Sequence, residues 1–188
     1  FDGDGWIDWF LGSAMFVNST RTNSLYRNLA GQAFEPVTSG PIVQDRLSDT
    51  EAGMWGDYDG DGDLDLVIAL GYAGPGVRLY ENLGGGAFRR AQTTGLEDSL
   101  GAGALPVEVV WGDYDNDLRL DLFVAVYNST TNVLFHNEGG GVFTRRLMGQ
   151  AGVEQGHPAW ADYDNDGWLD LFLGRGQGSL VHDQLWRN

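Results

Sequence analysis

A nine-residue acidic loop returns four times along the chain, and no other feature restricts the fold so tightly. The segments FDGDGWID from Phe1, DYDGDGDLD from Asp57, DYDNDLRLD from Asp113 and DYDNDGWLD from Asp162 share one pattern, D-x-D-x-D-G-x-x-D. The first of them lacks its opening position. Equivalent residues Asp2, Asp59, Asp115 and Asp164 stand 57, 56 and 49 residues apart, which marks an internal repeat. A second string travels with the loop: Leu25-Tyr26-Arg27-Asn28, Leu79-Tyr80-Glu81-Asn82, Leu134-Phe135-His136-Asn137 and Leu185-Trp186-Arg187-Asn188. In three repeats a Phe (Phe34, Phe88, Phe143) follows the Asn by six residues, and in two of these a glycine triplet between them reads as a tight hairpin.

Each unit then resolves into a strand ending at a Trp (Trp55, Trp111, Trp160), the acidic loop, and an apolar strand (Leu64 to Leu70, Leu118 to Val126, Leu169 to Leu173). A connection, the Leu-aromatic-x-Asn strand, the hairpin and a fourth strand from the Phe complete it. Four short strands per roughly 50-residue unit, without a helical period, is the plan of a β-propeller blade. The expected class is all-β, with about three and a half four-stranded blades. Labelling the strands A to D, the expected division is a partial blade over 1–48 (B to D), whole blades over 49–104 and 105–155, and a partial blade over 156–188 (A to C). A solenoid or sandwich would also use short strands, but a sandwich leaves the strict return of the acidic loop unexplained. At 188 residues the chain is short for a closed propeller. The expectation is a piece of a longer polypeptide, or a unit completed by neighbouring copies in an assembly or filament.

The loops hold 16 of the 27 acidic residues and account for much of a net charge of −16. Carboxylates about 4 Å apart repel by roughly 1 kcal/mol in water and about 4 kcal/mol at an effective dielectric of 20, so the loops call for a counter-charge. Alternating Asp at positions 1, 3 and 5 points every second side chain inward. Gly at position 6 allows a left-handed turn, position 7 offers a carbonyl, and Asp at position 9 closes the shell. Hard oxygen donors in a flexible loop suit Ca²⁺ over Mg²⁺ or Zn²⁺. Up to four calcium ions are expected, and four would halve the formal charge. Leu118 stands where the other loops have Gly, so either a branched residue turns left-handed or the loop relaxes. Loop three is therefore expected to be the weakest complete site. The bland alternative is that these are ordinary Asp/Gly turns, which recurrence in register makes the poorer reading.

These strings resemble the FG-GAP/VCBS-type repeats of integrin-α-like β-propellers, the resemblance covering essentially the whole chain. It implies one ion on Asp57, Asp59, Asp61 and Asp65 with the carbonyl of Asp63, and another on Asp162, Asp164, Asp166 and Asp170 with that of Trp168. A third would sit on Asp113, Asp115, Asp117 and Asp121 with the carbonyl of Arg119. Asp2, Asp4 and Asp8 with the carbonyl of Trp6 form the truncated set. The Phe-Gly and Gly-Ala-Pro strings that name the family are not recognisable. The resemblance implies adhesion, surface binding or a non-catalytic part of a larger extracellular protein.

Loop lengths divide the faces. A–B and C–D turns share one face and are constant in length. B–C connections vary over 17, 14, 13 and 15 residues, and D–A connections over 23, 25 and 19. A protein or glycan partner, or another copy of the chain, is expected on the variable face, with Arg46, Tyr72, Glu97, Tyr127, His157 and Arg175 as candidates. Sequons at Asn18 and Asn128 fall on that face and are candidate glycosylation sites. The surface charge disfavours nucleic acid and anionic membranes, and no run approaches 18 apolar residues. There is no Cys. His136, His157 and His182 form no metal-binding pair, and His136 is expected to be exposed on its strand. Without a nucleophile motif or phosphate loop, no enzyme is expected. Three readings remain: a structural or adhesive calcium module, a carbohydrate-binding propeller, and a scaffold for a polysaccharide-active enzyme. All three place the protein outside the cell, where free calcium suffices for such loops.

Overall fold

The structure is a computed structural model that describes residues 1–13, 22–45, 49–71, 76–97, 100, 103–127, 129, 131–149, 156–175 and 182–188. Among the described residues it is all-β but for one four-residue helix, and the strands form four separate antiparallel sheets. The first sheet holds β1 (Trp9–Leu11), β2 (Ser24–Asn28) and β3 (Phe34–Pro36), followed by α1 (Pro41–Gln44). The second holds β4 (Thr50–Gly56), β5 (Asp65–Leu70), β6 (Val77–Asn82) and β7 (Phe88–Arg90) in chain order. In the third are β8 (Leu105–Gly112), β9 (Asp121–Tyr127), β10 (Thr131–Gly139) and β11 (Val142–Gly149), and in the fourth β12 (Gly156–Ala161), β13 (Asp170–Arg175) and β14 (Gln184–Trp186). This up-and-down order within each sheet is that of propeller-type blades.

The central strands read as continuous apolar runs because both of their faces are covered. In β5, Leu66, Ile68 and Leu70 pack toward the first sheet with Leu25, Ile42 and Tyr80. The alternate residues Val67 and Ala69 join Val109, Trp111, Leu122 and Val124 of the third sheet. One sheet further on, Phe123 and Ala125 of β9 pack against Leu171 and Leu173 of the fourth. The core is thus three apolar layers between four stacked sheets, and period-two alternation assigns each side chain to one layer or the next.

Short turns carry the rest. Gly84, Gly85 and Gly86 lie at φ 84, 60 and 80, and Gly139, Gly140 and Gly141 repeat this at 84, 60 and 77. Three successive left-handed residues explain why both C–D hairpins need glycine throughout. Strand B starts at the closing Asp of each loop in sheets two to four. It does not begin at Leu64, Leu118 or Leu169 as expected, because position 9 pairs across the sheet with the last residue of strand A: Asp65 with Gly56, Asp121 with Gly112, Asp170 with Ala161. No helix among the described residues is long and apolar enough to cross a membrane.

Candidate metal centres

Each acidic loop is wound by its own carboxylates. At position 1, Asp57 accepts from the N–H groups of Gly60 (2.8 Å), Asp61 (3.1 Å) and Gly62 (3.0 Å). Asp113 accepts from Asp117 (3.0 Å) and Leu118 (2.9 Å), and Asp162 from Asp166 (3.0 Å) and Gly167 (2.9 Å). At position 5, Asp4, Asp61, Asp117 and Asp166 each accept the N–H of position 7, which is Trp6, Asp63, Arg119 or Trp168, at 2.9 to 3.0 Å. These bonds require left-handed backbone at two places. Position 6 supplies it with Gly5, Gly62 and Gly167 at φ 86, 96 and 91, and with Leu118 at φ 70. Position 4 supplies it with Gly3 and Gly60, and with Asn116 and Asn165 at φ 56 and 60. The strict Gly-or-Asn choice at position 4 carried that signal in the sequence, since those residues tolerate the conformation best.

The winding gathers the oxygens. Ligand atoms of Asp57, Asp59 and Asp61 lie within 4.8 Å of one another, as do those of Asp113, Asp115 and Asp117, and those of Asp162, Asp164 and Asp170. Position 9 sits deepest, with Asp65, Asp121 and Asp170 all buried. Burial lifts the Asp65 carboxyl to about 7, against the pull of hydrogen bonds from the Asn82 and Tyr58 amides and with a further push from Asp59 and Asp61. Burial lifts Asp121 to about 6 in the same way, with Asp115 adding to the rise. Asp59 is raised too, by burial and then by Asp61. Oδ1 of Asp115 is buried without a hydrogen-bond partner. Crowded carboxylates, a buried orphan oxygen and hard oxygen donors throughout fit a divalent cation of the calcium type. Loop one brings Asp2, Asp4 and Asp8 together less fully, and no such three-ligand group forms there.

The asparagine closing each Leu-aromatic-x-Asn string proves part of the same construction. The N–H groups of Asn28, Asn82, Asn137 and Asn188 donate to Oδ1 of Asp8, Asp65, Asp121 and Asp170 at 2.8 to 2.9 Å. Oδ2 of Asp65, Asp121 and Asp170 accepts from the position-2 amides of Tyr58, Tyr114 and Tyr163 at 3.1, 3.3 and 3.2 Å. The side-chain amides then cross between blades: Asn82 donates to the Phe1 carbonyl (2.7 Å), Asn137 to that of Tyr58 (2.8 Å), and Asn188 to that of Tyr114. A line of hydrogen bonds therefore runs from Asp65 through Tyr58 and Asn137 to Asp121, and through Tyr114 and Asn188 to Asp170. The strings were visible in the sequence. Their role was not, because the partners lie as far as 81 residues away.

One expectation is corrected. His136 is buried, not exposed. Its strand β10 is paired on both sides, and the ring turns onto the loop, with Nδ1 at 3.1 Å from Asp121 and 3.3 Å from Asp115. On the opposite side of the blades, Glu97 is tied to Arg90 and stands 3.9 Å from Arg78, Tyr127 is half-buried, and the exposed His157 faces Glu108 at 3.7 Å. Arg175 ends β13. Asn18, Arg46, Tyr72 and Asn128 fall outside the described residues.

Comparison with known proteins agrees with this layout. No curated protein matches the chain in sequence. A solved structure of an Agrocybe aegerita lectin, one that recognises non-reducing terminal N-acetylglucosamine, aligns with a TM-score of 0.55 at 16% identity. The alignment covers 88% of this chain and 46% of the lectin, so the chain spans about half the length of that protein. At that identity the likeness is one of fold. The sequence pattern of the FG-GAP-like repeat matches residues 1–68, 57–124 and 113–173, each match extending from one acidic loop to the strand after the next, and the chain accordingly belongs to the FG-GAP-like repeat family.

Proposed function

We propose that this chain is a calcium-binding, non-catalytic module of an extracellular protein, in which the ions rigidify the A–B loops and the blades serve a structural, adhesive or assembly role. The observation that carries this reading is the threefold gathering of loop carboxylates within 4.8 Å on a shared hydrogen-bond frame. Asp57, Asp59, Asp61 and Asp65 would hold one ion, Asp113, Asp115, Asp117 and Asp121 a second, and Asp162, Asp164, Asp166 and Asp170 a third. Asp2, Asp4 and Asp8 would make a partial site. Bound calcium would supply the charge that the buried carboxylates lack and would carry no chemistry of its own. An extracellular setting follows from the free calcium such loops require. Isothermal titration with calcium tests the reading. About three ions per chain are expected, and absence of binding at millimolar calcium would refute it.

Carbohydrate binding is a second reading, which the lectin fold likeness supports at the level of the scaffold. A glycan array probed with the protein tests it: saturable hits support sugar binding, and an array without hits discards it.

A further inference from the structure

The residue just before the strand-C asparagine is Arg, Glu, His and Arg in the four repeats, and in three of them it lies against the acidic loop. In the first sheet it is Arg27, whose Nε lies 2.6 Å from Asp2. In the fourth it is Arg187, with Nε 2.8 Å from Asp164 and Nη2 3.2 Å from Asp166. In the third it is His136, against Asp115 and Asp121. The contact falls on position 3 of the loop each time. Only in the second sheet is the residue acidic: Glu81 turns away across the hairpin to Arg89, which it meets at 3.0 and 2.7 Å. Position 7 follows the same division. It is Asp63 in loop two, whereas Arg119 of loop three pairs with Asp117, and loops one and four carry Trp6 and Trp168. Among the described residues, no cationic side chain touches any of Asp57, Asp59, Asp61, Asp63 or Asp65.

We propose that these two positions, the strand-C residue and loop position 7, set the order in which the repeats take calcium, with the Asp57–Asp65 loop filling first. The inference rests on the calcium reading above and concerns how the sites differ. Loops three and four already hold a tethered cation on the oxygens that calcium would use, so an entering ion must displace it or bind beside it. Loop two has no such competitor and carries an extra carboxylate, Asp63, while the neighbouring Glu81 is paired with Arg89. A unit charge about 6 Å from a divalent ion changes its affinity about tenfold even at the dielectric of water, and salt trims this without reversing it. Reversing the charge at one position moves affinity by up to about a hundredfold on the same estimate.

The experiment is a calcium titration of the intact, isotope-labelled protein followed by the backbone amides of Gly62, Leu118 and Gly167. Each donates to the position-1 carboxylate of its own loop, at 3.0, 2.9 and 2.9 Å, and so reports one site. Gly62 is expected to shift at the lowest calcium. Glu81→Arg should weaken that site tenfold or more and leave the other two in place, whereas Arg187→Glu should tighten the Gly167 site about tenfold. The Arg187 side chain is 62% exposed, so this second variant decides the matter if Glu81→Arg does not fold. If calcium shifts none of the three amides, the calcium reading fails and this inference with it. If calcium shifts all three but Gly62 does not lead, or the charge reversals leave the calcium affinities of their own sites unchanged, only this inference is overturned.

Discussion

Leu118 shows what a single residue contributes to these loops. It stands at φ 70 with 93% of its surface exposed, in a place where three sister loops use glycine. A branched side chain in left-handed backbone loses about 1–2 kcal/mol, and here no packing compensates. Leu118→Gly is therefore predicted to raise stability by about 1 kcal/mol after the added freedom of the unfolded chain is subtracted, as measured by urea denaturation. The departure at position 118 was legible, as were the alternating aspartates, because both are local. The burial of His136 was not legible, since it depends on a contact with Asp121 made across two paired strands. For the same reason the ion pairs of Arg27 with Asp2 and of Arg187 with Asp164 and Asp166 were hidden in the sequence, since folding alone lays these strings against their loops.

Between elements, the blades lock through Trp–Gly contacts. A Cβ at Gly56 would lie 2.5 Å from Cδ1 of Trp111, and one at Gly112 would lie 2.6 Å from Cδ1 of Trp160. Trp111 and Trp160 thus each seat on the last residue of the preceding strand A, which must be bare. Gly112→Ala is predicted to destabilise by about 1–3 kcal/mol, because the indole backs onto a packed layer and cannot give way freely. Thermal unfolding of the variant measures this. Asn137 joins the second and third repeats by polar means, donating to the carbonyls of Tyr58 and Leu120 and accepting from Gly139. Asn137→Ala leaves buried carbonyls unpaired and should lower stability by about 2–4 kcal/mol by denaturant titration. The Trp-Gly and Leu-aromatic-x-Asn strings announced strand ends in the sequence, and their recurrence announced blades. Helix α1 went unannounced: four residues opened by Pro41 at its first turn give no period to read.

At the scale of the molecule, the stack of sheets and the acidic loops form one structure. The strands that bury the apolar layers begin at the very aspartates that close the loops, and the interblade asparagines bind those same carboxylates. Carboxylates buried at three sheet ends oppose the fold as long as they remain uncompensated, which ties the chain's net charge of −16 to its stability. The repeat made the sheet order legible, and the carboxylate spacing made the loops legible. The hydrogen-bonded line joining neighbouring loops was hidden because it exists only between blades. A cation that binds only the folded loops stabilises the whole stack by mass action. The most direct measurement is thermal melting of the protein in millimolar calcium and again in EGTA. The account predicts a rise in Tm with calcium that grows with its concentration, and a Tm unchanged between the two conditions would contradict it.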